Sequence, residues 1–454
     1  MWHYSRAFSA ISLIISVLQM KVCVSFQPSH KKNGFGSSTS ARTCLKFART
    51  SIPQILEETP PKDGEGFILD PYGKVFLKNL NLADMREFMQ TLGEKEERAT
   101  QVWKWMYDKD RFIRTFDEAA GTGMRDALGK EIRNTLEQVS TVDGGLRLES
   151  VASAQDGTKK MIFEVMNGQA KGKSVETVII PMKGGKVKQD RYTICVSSQV
   201  GCAMNCQFCY TGRLGLLGNL MASQIVEQVV EAKRYLASVG DTIPVSHIVF
   251  MGMGEPFDNY DNVMKALSIF TEPSNGLQFD AKKITVSTVG LVPRIIQFVS
   301  ETRAQLAVSL HGTTDEVRDQ IVPVNRRYGL TLLMNTLREL FPIMKNGKKN
   351  RDFVVFEYTM LQNVNDLEAD AHRLLEITNG INCIFNLITF NTHEESVFQS
   401  TPREQTLNFK RIMNEGQRIC TIRDSRGDDN MSACGQLGDI KATERIIKAS
   451  PFQQ

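Results

Sequence analysis

From Val175 onward the chain repeats one pattern. Short β-rich runs, at 192–197, 246–250, 283–288, 305–310, 353–360 and 382–390, alternate with stretches of helical spacing. Parallel strands need a long crossover, usually a helix, so this alternation predicts a parallel sheet. The expected fold class is α/β, and the number of units fits a partial or full (β/α) barrel. The stretch 223–236 shows how the crossovers are written: Ser223 is a candidate cap, and Ile225, Val229, Ala232 and Leu236 share an inward face.

Ahead of this region the spacing differs. Met85, Phe88, Met89 and Leu92 recur as one face of a helix that Gly93 would stop, and Ala99, Val102, Trp103 and Met106 repeat the spacing. Between 146 and 165 the pattern becomes alternation around Asp156-Gly157, a hairpin turn signal. The expected organisation is a leader at 1–50, a linker at 51–70 rich in Pro and Gly, a helical accessory domain at 71–140, a β-hairpin linker at 141–175 and the barrel domain at 176–450.

Charge is divided between leader and body. The first fifty residues hold seven basic side chains and no acidic one; without them 48 basic residues face 51 acidic ones, so contact with nucleic acid has to rest on local patches and pockets. The apolar block 8–20 is too short to span a membrane, and no stable membrane association is expected. That block, followed by a Ser-, Thr-, Lys- and Arg-rich stretch without acids, is similar to the bipartite leaders of algae with complex plastids. Plastid import is the expectation; mitochondrial import, a cytoplasmic location and secretion with an irregular amino terminus are the alternatives. An odd count of nine cysteines, three within eight residues, speaks against the disulfide framework of a secreted protein.

Chemistry-bearing residues gather where the β-rich runs end: Gly254 and Glu255 in MGMGEP, Ser287 in STVG, Ser309, Leu310 and His311 in VSLHG, and Asn391 after CIFNLITF. In parallel α/β folds ligands bind at that edge. Cys202, Cys206 and Cys209 form a CxxxCxxC loop, whose three thiolates can hold three irons of a [4Fe–4S] cluster and leave the fourth open. Zinc with a distant fourth ligand is the competing reading, but it normally uses paired CxxC spacings absent here.

CxxxCxxC after the first strand of a barrel resembles the radical S-adenosylmethionine (SAM) superfamily. With VETVIIP, CVSSQVGCAMNCQFCYTG, MGMGEP, STVG, VSLHG and RGDDNMSACGQLG in this order, residues 75–445 resemble the radical SAM methyltransferases that modify an adenine of 23S ribosomal RNA and of certain transfer RNAs. The helical stretch is similar to that family's RNA-engaging domain. The resemblance implies one [4Fe–4S] cluster on Cys202, Cys206 and Cys209, two SAM molecules per turnover, 23S ribosomal RNA as partner with transfer RNA as a second candidate, and an electron donor such as ferredoxin or flavodoxin. It implies that Cys434 takes a methyl group from one SAM, that a deoxyadenosyl radical from another removes a hydrogen from it, and that the resulting carbon radical adds to carbon 2 of the adenine. Cys195 would then resolve the protein–RNA adduct by forming a disulfide, and Glu176 would accept the proton. SAM contacts carry over to Gly254, Glu255, Ser287, Ser309, Leu310, His311 and Asn391.

A radical route fits the chemistry, because an sp² ring carbon is no nucleophile for ordinary displacement. Methylation of carbon 8 and a catalytically silent iron–sulfur RNA-binding protein are the rival readings. Two stretches depart from the family pattern: MKGGKVKQDRY before Cys195 is longer and more basic, and TFNTHEESVFQSTP replaces a proline-rich loop after Asn391. Cys383 and Cys420 lie in apolar runs and are expected in the core.

Overall fold

The computed structural model describes residues 67–438 except 109–110, 122–126, 186–188, 275, 344–351, 394–395, 424, 428–431 and 434. The leader, most of the 51–70 linker, Cys434 and the chain after 438 therefore lie outside the described residues. Fourteen strands occur among those described: β1 (Val75–Phe76), β2 (Ser140–Thr141), β3 (Leu146–Ser153), β4 (Lys159–Val165), β5 (Ser174–Met182), β6 (Arg191–Val196), β7 (Gln199–Gly201), β8 (Leu216–Asn219), β9 (Val245–Phe250), β10 (Ile284–Thr288), β11 (Gln305–Ser309), β12 (Val354–Met360), β13 (Cys383–Thr389) and β14 (Ile419–Arg423). The α-helices are α1 (Leu82–Thr91), α2 (Glu97–Tyr107), α3 (Lys130–Val139), α4 (Tyr210–Arg213), α5 (Ala222–Ser238), α6 (Tyr260–Thr271), α7 (Val292–Glu301), α8 (Asp315–Ile321), α9 (Leu330–Leu340), α10 (Glu368–Ile377) and α11 (Arg403–Glu415).

One ten-stranded sheet organises the protein, in the order β14-β13-β12-β11-β10-β9-β6-β5-β4-β3. From β6 to β14 all seven strands are parallel, and each is added beside the one before it in that order. Right-handed crossovers that always advance in the same direction put their helices on one face of the sheet, which leaves the other face to line a cleft. Among the described residues β14 and β3 remain edges, so of the two barrel forms expected it is the open, partial one. β14, which the run count did not include, extends the parallel part by one strand. β12 is buried along its whole length, as a strand in the middle of a parallel sheet should be.

The hairpin predicted at Asp156-Gly157 is present. Gly157 has φ +84° and Asp156 Oδ1 accepts from the Thr158 N–H at 2.9 Å. Rather than standing apart, β3 and β4 continue the main sheet through antiparallel β5, and the expected boundary at 175/176 falls inside β5.

α1 starts at a capping box, in which Asn81 Oδ1 accepts from the Asp84 N–H and Asp84 Oδ2 from the Asn81 N–H. The predicted Met85, Phe88 and Met89 of α1 and Ala99, Val102, Trp103 and Met106 of α2 are buried, Leu82 and Tyr107 join them, and Leu92 is the C-cap residue rather than part of the helix. Trp105, off that spacing, is also buried, under the Arg111 guanidinium at 4.2 Å from the ring. The cap expected at Ser223 is elsewhere: α5 begins one residue earlier, with Met221 as N-cap, and Ser223 offers its N–H to Asn79 Oδ1 from the helical segment. A side chain remote in sequence thus supplies what the local residue does not.

The helical module is joined to the sheet by buried charge. Lys78 pairs with Glu227 on α5, Arg234 Nη1 lies 3.3 Å from Glu227, and the Arg234 guanidinium also donates to Phe112 O and Ile113 O. Removing one partner of a buried pair leaves the other desolvated. Lys78→Met should therefore cost about 3 kcal/mol, Arg234 covering part of the loss, and lower the midpoint of urea denaturation. An unchanged midpoint would mean that this pair does not hold the module in place.

Candidate active site

The loops that leave the carboxyl ends of β6 and β9–β13 meet in a cleft that opens to solvent. Cys202, Cys206 and Cys209 lie on one wall; Ser287, Ser309 and His311 lie on the others. The cysteine loop is built by close backbone approach. β7 and β8 pair across it, Cys202 N–H donates to Gly215 O at 2.9 Å, and Cys209 N–H to Cys206 O at 3.0 Å. Gly201, at φ +72°, lies so near Gly215 that a Cβ would stand 1.9 Å from its carbonyl oxygen.

Burial pushes the Cys202 thiol up to about 12 and raises those of Cys206 and Cys209, the charges of Arg318 and Arg213 offsetting only part of the effect. Among the described residues no Lys or Arg lines the cleft. Three such thiols ionise only if a bound cation balances them, which is what iron does to a coordinating thiol. Among the described residues no three His, Cys, Asp or Glu groups converge as ligands of one ion. A cubane takes one cysteine at each of three corners. The residues fit a [4Fe–4S] cluster better than zinc.

Polar contacts lock the other loops around this wall. Glu255 is buried; Phe257 N–H donates to its Oε1 and Val289 N–H to its Oε2, each at 3.0 Å, so its carboxyl ties the β9 loop to the β10 loop. Burial raises it to about 7 against the pull of those donors. Gly254, at φ +96°, packs against Gln199, whose Oε1 accepts from the Glu255 N–H. Ser287 Oγ and Ser309 Oγ are 3.2 Å apart. Leu310 does not face the cleft: its side chain is core and its carbonyl oxygen accepts from Arg318 Nε. His311 takes a left-handed φ of 57°, its Nδ1 accepts from the Thr359 N–H at 3.0 Å, and burial together with the Arg318 charge holds it down at about 3, so the ring is neutral.

A second, smaller cavity adjoins the first, Met251, Ile388 and Leu437 lining both. Cys195, buried on β6, lines this second cavity, and so do Asn391, Arg423 and Arg426. Asn391, expected among the SAM contacts, borders this second cavity, its Oδ1 accepting from Ser425. Glu176 is fully buried on β5; Lys160 Nζ lies 3.6 Å from its Oε1 and Gly438 N–H donates to its Oε2 at 3.2 Å. Cys434 lies outside the described residues, but its neighbours are instructive. Ala433 lines the second cavity and Gly435 the first, while Gly435 O accepts from Tyr210 N–H at 2.9 Å beside the cysteine loop.

Three side chains of the site were missed in the sequence. Fully buried Arg318 donates to Leu310 O, Val289 O and Asn325 Oδ1, stapling the STVG and VSLHG turns. Its signal was a cation on the apolar face of α8, three and four residues before Ile321 and Val322. Lys160 and Glu357 carried no local signal, since their partners come from neighbouring strands.

Gly201→Ala is expected to displace the cysteine loop and to cut the iron content and visible absorbance of purified protein to a small fraction of wild type, because neither its backbone angle nor its surroundings admit a Cβ. Wild-type iron loading in that variant would contradict the role assigned to the β7–β8 approach.

Residues 196–375 match the family model of the radical SAM superfamily, and residues 75–142 that of the ribosomal RNA large subunit methyltransferase N-terminal domain. The chain is 40% identical over 364 residues to the dual-specificity RNA methyltransferase RlmN of Geotalea uraniireducens (strain Rf4), covering 80% of this chain and 96% of the relative. It is also 40% identical over 361 residues to the protein of that name from Geobacter sulfurreducens (strain ATCC 51573 / DSM 12127 / PCA), covering 80% and 91%. The crystal structure of a radical SAM methyltransferase from Sphaerobacter thermophilus superposes with a TM-score of 0.69 at 36% identity, covering 80% of this chain and 98% of that one. The chain belongs to the RlmN family of radical SAM RNA methyltransferases.

Proposed function

We propose that this protein places a methyl group on carbon 2 of an adenine in 23S ribosomal RNA, with transfer RNA as a second substrate, by way of a methylated Cys434 and a covalent protein–RNA adduct. The observation that carries the reading is the unlike lining of two adjoining cavities, carboxyl groups in one and guanidinium groups in the other. The cysteine cleft is lined by two glutamates and no cation among the described residues, which favours a positively charged cofactor such as SAM. Its neighbour holds Arg423 and Arg426 beside Cys195, which favours a polyanion such as RNA. The described residues on either side of Cys434 border one cavity each.

A [4Fe–4S] cluster on Cys202, Cys206 and Cys209, with SAM bound, supplies the radical chemistry that an unreactive ring carbon requires. The remaining work falls to the chain. Cys434 accepts the methyl group, and its sulfur stays attached once carbon has bonded to the ring. Glu176, next to Lys160, takes the ring proton, and the unpaired electron left on the adduct would pass to a one-electron acceptor, a role that an oxidised iron–sulfur cluster can fill. Cys195 then attacks the Cys434 sulfur: the S–CH₂ bond breaks, an S–S bond forms, and the Cys195 proton ends on the carbon as the product methyl. A two-electron reductant, a dithiol or its equivalent, restores both thiols.

We also propose residues 1–50 as a plastid address. Fused to a fluorescent protein, they should direct it to the plastid of an alga with a complex plastid; a cytosolic or secreted signal would refute this.

Cys195→Ala should form the carbon–carbon bond but fail to release the RNA, so protein cross-linked to RNA should accumulate under turnover and migrate as a heavier band removed by nuclease. Cys434→Ala should keep the iron–sulfur absorbance and give neither methylated RNA nor cross-link. Full turnover by either variant would remove the cysteine from its role.

A further inference from the structure

We infer that Glu357 is the acceptor for a ribose hydroxyl of SAM, an assignment that rests on reading the cysteine cleft as the cofactor site. Glu357 lies on β12, in register with Ser309 on β11 and with Asn386 on β13. Asn386 Nδ2 donates to its Oε1 at 2.9 Å. Its Oε2 is also buried, and no donor among the described residues reaches it. The residue is 3% exposed and lines the cleft. Native folds rarely leave a buried carboxylate oxygen without a donor, and where they do a ligand is a natural partner.

The neighbours of Glu357 narrow the choice of ligand. In-register residues of adjacent strands face the same side, so Glu357 stands next to Ser309, whose hydroxyl is 3.2 Å from that of Ser287. Two hydroxyls and a carboxylate therefore run across β10, β11 and β12 along the cleft. Hydroxyls donate or accept, and a carboxylate in its ionised form only accepts, so a ligand that pairs with that form must bring a hydrogen. Burial raises the Glu357 pKa, and the Arg423 charge and the Asn386 hydrogen bond both pull it back toward the ionised form.

A sulfonium has no hydrogen to give, and the ammonium and carboxylate of SAM belong at the cysteine wall, where open iron would hold them. What remains is the ribose diol and the adenine amino group. A vicinal diol matches a row of adjacent oxygen groups, and an acidic residue on a ribose hydroxyl is the device dinucleotide-binding folds use for the same sugar. No sequence motif marked Glu357, because its place opposite Ser309 exists only after the strands pair.

The test is equilibrium dialysis of the anaerobically reconstituted protein with SAM, with its 2′-deoxy and 3′-deoxy analogues, and with an analogue lacking the adenine amino group. RNA is absent, so the result does not depend on which ring carbon is methylated. Wild type should bind one deoxy analogue roughly ten- to a hundredfold more weakly than SAM, the size of a lost charge-assisted hydrogen bond. Glu357→Gln should bind SAM about that much more weakly and should no longer distinguish it from that analogue. Wild-type affinity for both deoxy analogues would overturn the inference, and that arm needs no variant to fold. Full discrimination retained by iron-loaded Glu357→Gln would overturn it too, as would a loss of affinity confined to the analogue without the amino group. Failure of wild type to bind SAM at all would overturn this assignment together with the proposed function.

Discussion

Seven parallel strands added in one direction bring every carboxyl end to the same rim, and the site depends on that order. β6 carries Cys195 and leads into the cysteine loop, β9 leads to Gly254 and Glu255, β10 and β11 carry Ser287 and Ser309, and β12 carries Glu357. Residues carried by different strands are far apart along the chain, and strand order makes them neighbours. The rim is then fixed by buried polar groups that bridge loops. Glu255 accepts from the β10 loop, Arg318 joins two turns, and Asn365 Nδ2 donates to His311 O and Thr359 O. Each buried donor that finds its acceptor removes a desolvation cost and with it some freedom of the loop, so the rim is held rigid where the chemistry needs fixed positions.

Electrostatics then divide the rim in two. The cleft beside the cysteines holds acidic groups and buried thiols that favour a cation, while the adjoining cavity presents guanidinium groups beside Cys195. Met251, Ile388 and Leu437 form an apolar partition between them. A positively charged cofactor and a polyanionic substrate can therefore approach from two sides without competing for the same groups. The carboxyl-terminal segment crosses this partition, fastened by Thr211 Oγ1 to Leu437 O and by Gly438 N–H to Glu176.

Much of the architecture was legible because it is written in short-range periodicity. The strand runs, the inward face of α2 and the Asp156-Gly157 turn each depend on neighbours within a few residues, and the cysteine loop has its spacing in the chain itself. What was not legible depends on distant partners. Asn79 does the capping work expected of Ser223, Lys160 meets Glu176 only across β4 and β5, and Glu357 reaches Ser309 and Asn386 only across paired strands. Leu310 and Asn391 follow the last residues of β11 and β13, where the turn rather than the motif decides which way a side chain faces. Leu310 turns into the core, and Asn391 joins the Cys195 cavity.

The central claim is that the methyl group reaches the RNA as a carbon radical carried on a protein sulfur. Its most direct measurement supplies SAM bearing a trideuterated methyl group to the anaerobically reconstituted protein with a reductant and 23S-type ribosomal RNA, then digests the RNA and weighs the nucleosides. A methyladenosine that keeps two deuteriums and co-elutes with the 2-methyl standard is the predicted result, since one deuterium is removed before carbon–carbon bond formation and replaced by a proton on release. Two deuteriums with 8-methyl retention would correct the ring position, and a product with three deuteriums would mean direct transfer of an intact methyl group and contradict the account.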